Sequence, residues 1–383
     1  MRFSVDAHAI GQHLTGNETY VRNLLNGFAC LDDGSEFIAY YSVHQAASSL
    51  PARFRKSRVS KNPFVRLGVD LTRKLYRDRP HLLHVQYTAP LRCPVPLVVS
   101  VHDVSYLERP EFFPRARAWQ LRHTVARTVR RAARSLTVSE FSRRGIEKAY
   151  GVDGSNIVVV PNGVSSMFRP LAKENAAAYV RKRFRINGPY LLTVGDLQPR
   201  KNQIGLIDAF ESAVRHARVP QALVLVGKDT WHGREVRQRA ARSAVADRIH
   251  FTGFVSDEEL LQLYGGCDTF VFPSFYEGFG IPILEAMACG RAVACSNTSA
   301  MPEVANAAAI LFDPYSKEEM ARALVDLTID SQLRSRMERL GQQRSTLFSW
   351  ERAARQTLAV YYDVAGHSGD SASEQHRSVS ISS

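Results

Sequence analysis

Short apolar runs alternate with longer amphipathic stretches from the start of the chain to about residue 160, and the pattern restarts near residue 190. In the first half, residues 1–6, 84–87, 97–101, 136–138 and 157–160 read as strands, and 17–31 and 115–134 as helices. In the second, 190–194, 222–226, 249–252, 269–272, 292–294 and 309–312 read as six more buried strands, separated by helical stretches at 203–214, 233–246, 257–265, 282–288 and 317–329. Alternation of this kind predicts parallel sheets with helices on both faces. Two such sets in succession predict an α/β chain of two tandem Rossmann-like, doubly wound domains. We place the first at 1–172 and the second at 187–347. Arg169-Pro170 breaks regular structure, and 173–184 reads as a polar connecting helix. Helices at 332–347 and 350–364 follow, and the latter, to about 365, is expected to pack back on the first domain. Residues 366–383 are rich in Gly, Ser, His and Asp without a period, and are expected to form a disordered tail.

Composition narrows the class. A chain of 383 residues, 45% hydrophobic and 23% charged, can build two cores and is not broadly disordered. No run of about 18 apolar residues occurs, so no spanning helix is expected. The start, MRFSVDAHAI, lacks the apolar core and cleavage site of a secretory signal, which predicts a cytoplasmic protein. The five cysteines are odd in number and show no CxxC spacing, which points to free thiols rather than disulfides or zinc. Cys289 lies in an apolar helix and reads as packing. The net charge of +13, concentrated at 53–79 and 115–144, suggests an anionic partner or a solvated basic face.

The segment 269–290 carries the chemistry. Thr269-Phe-Val-Phe272 is a strand, Pro273 ends it, a turn with two glycines follows, and Pro282 and Gly290 bracket a short helix. Gly278 and Gly280 let a ligand approach the backbone. Amides there, with the helix N-terminus, suit an anion or hydroxyl. Glu277 precedes this nest, and Glu285 is expected in the first helical turn. Two carboxylates at the carboxyl end of a parallel strand suit a polyhydroxylated ligand. The bland alternative is that Glu285 only favours the helix terminus. Arg200 and Lys201 follow another strand and precede a helix that Asn202 can cap. A guanidinium beside an ammonium can neutralise a diphosphate. No Asp-x-Asp pair is found to hold a divalent cation, so no metal and no cofactor is expected.

The run Phe275-Tyr-Glu277-Gly-Phe-Gly-Ile-Pro-Ile-Leu-Glu285-Ala-Met-Ala-Cys-Gly290 closely resembles the Glu-x7-Glu motif of the family 4 retaining glycosyltransferases. Val194-Gly195-Asp-Leu-Gln-Pro-Arg200-Lys201-Asn202 is similar to that family's phosphate-binding loop. Val159 to Val164, Phe251 to Val255 and Met301-Pro-Glu303-Val also resemble it, in the right order, over about residues 1–365. The resemblance implies the GT-B fold, two domains facing a cleft. It implies that Glu277 contacts the donor sugar, Glu285 the ribose, and the amides of Gly278, Phe279 and Gly280 the sugar hydroxyls. Gly195 and Lys228 would line the same crevice, and backbone groups at Phe254 and Val255 would read the base.

The first domain is less explicit. His102 ends a strand, where relatives place a histidine near the transferred sugar, and Asp103 could orient it or bind acceptor. A lone histidine is often structural. The loop 9–18 carries Gly16-Asn17-Glu18 where many relatives have Gly-x-Gly, so Gly16 and Asn17 are assigned to the acceptor side rather than to phosphate. Ser139-Glu-Phe-Ser142 also fits the family.

The resemblance further implies retention of anomeric configuration. No nucleophile is evident, which favours a front-face route in which the leaving diphosphate takes the acceptor proton. Mannose from GDP-mannose is the first choice of donor, because many bacterial relatives are mannosyltransferases. UDP-sugars and deoxyhexose donors stay open. A glycan or lipid-linked acceptor in surface polysaccharide synthesis is expected. The basic first half suits the inner face of an anionic membrane, through Arg55, Lys56, Arg58, Lys61, Arg66 and Arg73. A nucleotide-sugar epimerase of the same fold is the rival enzyme. A nucleic-acid partner is disfavoured, because no basic motif with interleaved aromatics occurs. A carbohydrate-binding module would leave the phosphate loop without purpose.

Overall fold

The computed structural model describes residues 1–12, 15–217 and 219–379, with side chains except at 15 and 367–379. The chain divides into two compact units, 1–163 with 350–383, and 164–349.

The first unit is built on a wholly parallel sheet of seven strands. They are β1 Arg2–Asp6, β2 Glu36–Tyr41, β3 Arg55–Arg58, β4 Leu82–Gln86, β5 Leu97–Ser100, β6 Arg134–Thr137 and β7 Ile157–Val159. Their spatial order is β3-β2-β1-β4-β5-β6-β7, so the winding reverses between β1 and β4. The sequence expectation lacks β2 and β3. β3 is Arg-Lys-Ser-Arg with only Ser57 buried, an edge strand that carries charge instead of an apolar run. β2, Glu-Phe-Ile-Ala-Tyr-Tyr, is buried along its centre and does have aromatic and β-branched content.

The core of this unit draws on both ends of the chain. Phe28 stacks on Phe37 with ring centroids 5.0 Å apart, and Tyr361 lies 5.2 Å from Phe3 and 5.5 Å from Phe28. Tyr361 belongs to helix Trp350–Val379, which packs on helix Thr15–Ala29. The two backbones come close at Gly27, where an added Cβ would lie 2.5 Å from the Trp350 carbonyl oxygen. The last helix continues past Gly366, where the sequence expectation begins a tail, as far as Val379, and residues 380–383 lie outside the described ones.

The second unit holds a parallel sheet of six strands: β8 Tyr190–Val194, β9 Ala222–Val226, β10 Ile249–Gly253, β11 Thr269–Phe272, β12 Ala292–Ser296 and β13 Ile310–Phe312. All six follow the apolar runs of the sequence. Their order is β10-β9-β8-β11-β12-β13, and the winding reverses between β8 and β11. Leu191, Leu223 and Val271 of the strands meet Leu206, Phe210 and Leu324 of the flanking helices in one buried cluster. Helix Lys173–Phe184, expected as a connector between domains, lies inside this unit against helix Asp257–Gly266. Gly265 admits it, since a Cβ there would meet Leu171 Cδ1 at 3.1 Å and Ala176 Cβ at 3.2 Å. All five cysteines are free, and burial pushes the Cys289 thiol well above its ordinary range.

The Gly27 contact makes a prediction about the returning helix. Gly27→Ala must push Trp350 and Ala354 away, at a cost of about 1–3 kcal/mol in chemical unfolding. Unchanged stability would show that the last helix does not seat there.

Candidate active site

In an open parallel sheet, ligands bind beyond the carboxyl ends of the strands, at the point where winding reverses. In the second unit that point lies between β8 and β11. Beyond β8 the chain crosses at Gly195, whose N–H donates to the Val226 carbonyl at 2.8 Å, and Gly227 N–H donates to the Gly253 carbonyl at 3.0 Å. A Cβ at Gly227 would lie 2.1 Å from the Gly195 carbonyl oxygen, so only glycine lets these strand ends meet. One 3-10 turn, Pro199–Lys201, then presents Arg200 and Lys201. Asn202, at a left-handed φ of 54°, leads into helix Gln203–Ala217, and its side-chain amide donates to the Pro314 carbonyl at 2.9 Å.

Beyond β11, the loop 273–280 is stitched to its neighbours. Phe275 N–H donates to the Arg200 carbonyl at 2.8 Å. The Thr298 hydroxyl donates to the Phe275 carbonyl at 3.1 Å, and Glu277 N–H donates to Ser299 Oγ at 3.0 Å. These bonds bring Glu277 to Arg200 and Lys201. Arg200 Nη1 donates to Glu277 Oε2 at 2.8 Å and reaches the Tyr276 carbonyl at 3.2 Å. Lys201 Nζ lies 2.6 Å from Oε1, an ion contact without hydrogen-bond alignment. The Lys201 ammonium also sits 4.9 Å from the Phe272 ring centroid.

All three side chains are largely withdrawn from solvent. Burial alone would raise the Glu277 pKa, but the two cations outweigh it and hold the carboxyl at about 2. Burial draws the Lys201 ammonium below its ordinary value, against the pull of Glu277. One carboxylate between two cations leaves an excess of one positive charge at the reversal point. Such a cluster suits an anionic ligand rich in oxygen. On the next strand end, Lys228 Nζ lies 3.8 Å from the buried Asp196.

Glu285 has a different setting. It lies in the second turn of helix Ile281–Ala288, not the first, because the helix begins at Ile281 with Gly280 as its cap at φ 112°. The Tyr264 hydroxyl donates to Glu285 Oε2 at 3.0 Å, and Tyr264 is itself packed by Phe168 and Phe270. Phe279 is buried with its ring edge-on to Phe348 at 5.8 Å, so its side chain serves packing. Gly278 is buried in the loop. Val255 is buried, whereas Phe254 is 58% exposed. Ser299 and Tyr264 are absent from the sequence expectation. Tyr264 precedes its carboxylate by 21 residues and has no local signal, while Ser299 sits in the turn Asn297-Thr-Ser299 after β12.

In the first unit, His102 follows β5. Its Nε2 lies 3.2 Å from Gln86 Oε1, and Tyr20 and Tyr87 face it edge-on at 4.4 and 5.5 Å. Burial pushes its pKa down to about 4, against the opposing charge of Asp103. The Asp103 carboxylate does not turn to His102. It accepts the Ser105 N–H at 2.9 Å and hydroxyl at 2.5 Å, closing a local turn just ahead of the short helix Ser105–Glu108. Ser139 caps helix Glu140–Tyr150, and the Ser142 hydroxyl donates to the His102 carbonyl at 2.8 Å. The helix expected from residue 17 starts at Thr15, so Gly16, as well as Asn17, lies in its first turn, and a Cβ at Gly16 would meet nothing within 4 Å. Residues 13 and 14 of the expected loop 9–18 lie outside the described ones. Behind His102, His84 Nε2 lies 2.7 Å from Ser100 Oγ and Nδ1 lies 2.6 Å from the Tyr361 hydroxyl, while Ser100 Oγ lies 2.8 Å from the Tyr20 hydroxyl. Burial holds the His84 pKa at about 3.

These two histidines predict an acid-side loss of stability. Both fold with pKa values below their ordinary 6.5, so the unfolded chain takes up protons first as pH falls. Stability is therefore full above about pH 6.5 and declines below it, toward about pH 3. Glu277 and Asp6, lowered from 4.5 and 3.8 to about 2, keep their contribution above those ordinary values and lose it as pH falls from there toward about 2. Urea unfolding at about pH 7 and about pH 5 should show the decline, and His84→Gln should reduce its slope. An unaltered slope would rule out His84 as a source.

Comparison with known proteins places this architecture. The model described as Glycosyltransferase Family 4 matches residues 15–166, and that described as Glycosyl transferases group 1 matches residues 180–344. O-antigen chain mannosyltransferase B of Escherichia coli is 33% identical over 264 residues, 69% of this chain and 69% of its own length. O-antigen chain mannosyltransferase RfbU of Salmonella typhimurium is 28% identical over 234 residues, 60% of each chain. Among solved structures, sucrose-phosphate synthase of Thermosynechococcus elongatus aligns with a TM-score of 0.78 at 18% identity, covering 96% of this chain and 100% of that one. Anabaena HepE in complex with UDP-glucose gives 0.75 at 19% identity, covering 94% and 99%. The fold is GT-B, and the class is glycosyltransferase. Within that class, the chain belongs to the family 4 glycosyltransferases.

Proposed function

We propose that this glycosyltransferase moves a mannosyl group from GDP-mannose to a growing or lipid-linked glycan of a surface polysaccharide. The choice of sugar is supported by the relatives at 33% and 28% identity, both named as O-antigen chain mannosyltransferases. The observation that carries the use of a nucleotide-sugar is the Arg200–Glu277–Lys201 cluster at the reversal of the second sheet. A diphosphate entering there gains two cations that are already positioned and partly desolvated, the condition under which electrostatic stabilisation is strongest.

In this reading, Arg200 and Lys201 shift part of their charge from Glu277 to the diphosphate as the glycosidic bond weakens. Glu277, ionised at neutral pH, then has acceptor capacity for sugar hydroxyls. Glu285 binds the ribose, with Tyr264 fixing its carboxylate. Gly195, Lys228, Gly278 and Gly280 line the donor site, and Phe254 and Val255 lie by the base. His102, neutral at working pH, sits by the transferred sugar. With no nucleophile assigned, the leaving diphosphate oxygen accepts the acceptor proton on the same face, and configuration is retained. No metal takes part in this scheme.

Two measurements test it. In a thermal-shift panel of GDP, UDP, ADP and their sugar conjugates, GDP-mannose should raise the melting temperature most, since a ligand stabilises the state that binds it. A larger shift with a UDP-sugar or a GDP-deoxyhexose would move the assignment to that donor. Release of an altered nucleotide-sugar instead of free nucleotide would mean an epimerase. Separately, Glu277→Gln, Arg200→Ala and Lys201→Ala should each lower turnover by about two to three orders of magnitude. Melting is measured alongside, because unpairing a buried charge also costs stability. Wild-type turnover in all three would sink the reading.

A further inference from the structure

Between residues 53 and 134 the chain carries nineteen Lys and Arg against five Asp and Glu, a balance of +14 where the whole protein has +13. The excess charge of the molecule therefore belongs to this stretch of the first unit. Not all of it is available for recognition, because some is buried or paired within the fold. Arg66 is buried, with Nε 3.8 Å from Asp6, and Arg55 pairs with Asp78 at 2.9 Å. These two leave the group expected from sequence to meet a membrane.

The structure adds apolar side chains to what remains. Residues 63–78 form one helical segment that widens to a π-type turn over Arg66–Asp70. Its inner side buries Arg66, Leu71, Leu75 and Asp78. Its outer side carries Val65, Val69, Arg73 and Tyr76 at intervals of four, four and three residues, with Phe64 beside them. Phe64 is 83% exposed, Tyr76 63% and Val69 56%. Scattered apolar residues on a surface need no explanation, but a stripe of them along one helix does. The stripe continues sideways. Leu91, 54% exposed, donates its N–H to the Leu67 carbonyl at 2.8 Å, and its own carbonyl accepts from Arg127 at 2.8 Å and Arg131 at 3.1 Å. The loop at 88–92 thus ties the 63–78 segment to the arginine-rich helix Arg115–Arg131.

We propose that this face docks on an anionic lipid bilayer, with Phe64, Val65, Val69 and Tyr76 entering the headgroup boundary and Lys61, Arg73, Arg127 and Arg131 facing lipid phosphates. Interfacial helices work this way: apolar burial supplies depth, and basic side chains select anionic surfaces. A nucleic acid would leave the exposed aliphatic side chains of Val65 and Val69, at the centre of the patch, without an apolar partner. A folded protein partner would not require a charge field broader than its own contact. The proposal is independent of the donor assignment, because vesicle binding is read without turnover.

The test uses the full chain and vesicles of equal parts phosphatidylglycerol and phosphatidylcholine, against phosphatidylcholine alone. Wild type should co-sediment with the anionic vesicles at low salt and not with the neutral ones. Phe64→Ser with Val69→Ser, and Lys61→Ser with Arg73→Ser, should each weaken binding about tenfold without lowering the melting temperature, since all four side chains are exposed. Wild type left in the supernatant overturns the proposal. So does salt-sensitive binding that ignores the Phe64 and Val69 changes, which would make the face a general anion patch.

Discussion

Glu277 stands between Arg200 and Lys201, and the second unit is arranged around keeping those three charges together. None of them is tolerable in that environment alone. A desolvated carboxylate would rise in pKa and take a proton, and a desolvated ammonium would lose one. Brought within hydrogen-bond range, they hold each other ionised. The arrangement needs two loops from opposite sides of the winding reversal to close on one another. It needs Gly227 to let the Gly195 carbonyl approach, and Ser299 in a left-handed turn to anchor the Glu277 amide. Each of these is a backbone condition, set by residues that carry no charge.

What could be read ahead of the structure follows from where the information sits. The six strands of the second unit are continuous apolar runs, so their existence and order are visible in sequence. Glu277, Arg200 and Lys201 could be named because each lies within a few residues of a strand end. Contacts that join distant positions were not visible. Tyr264 meets Glu285 across 21 residues, and Tyr361 meets His84 across 277. Two local placements differ from the sequence reading. Asp103 bonds the amide and hydroxyl of Ser105, two residues on, instead of turning to His102. The first helix, expected to start at Asn17, begins two residues earlier at Thr15 and takes in Gly16, although glycine is a weak helix former.

The first unit shows the limit of reading hydrophobicity alone. β3 has no apolar run, and it is recognisable as a strand only once β2 is beside it. The basic residues of the same region divide into two groups that sequence cannot separate. Some, such as Arg66 and Arg55, serve buried or paired carboxylates, and others cover an outer face that also exposes phenylalanine, valine and tyrosine. Burial and ion pairing, not composition, make that distinction.

The place of Tyr361 has a consequence for how the protein is made. Phe3, Phe28 and His84 all rest against a side chain from the last helix. A growing chain therefore emerges with the sheet of its first unit already synthesised but with one wall of its core missing. The second unit, continuous in sequence from 164 to 349, meets no such delay. At the pace of synthesis, about 5–20 residues per second, the exposed core waits for roughly ten seconds or more while the second unit is completed. The unit that begins first is closed last, and during that interval its apolar surface is what a chaperone, or another nascent chain, would meet.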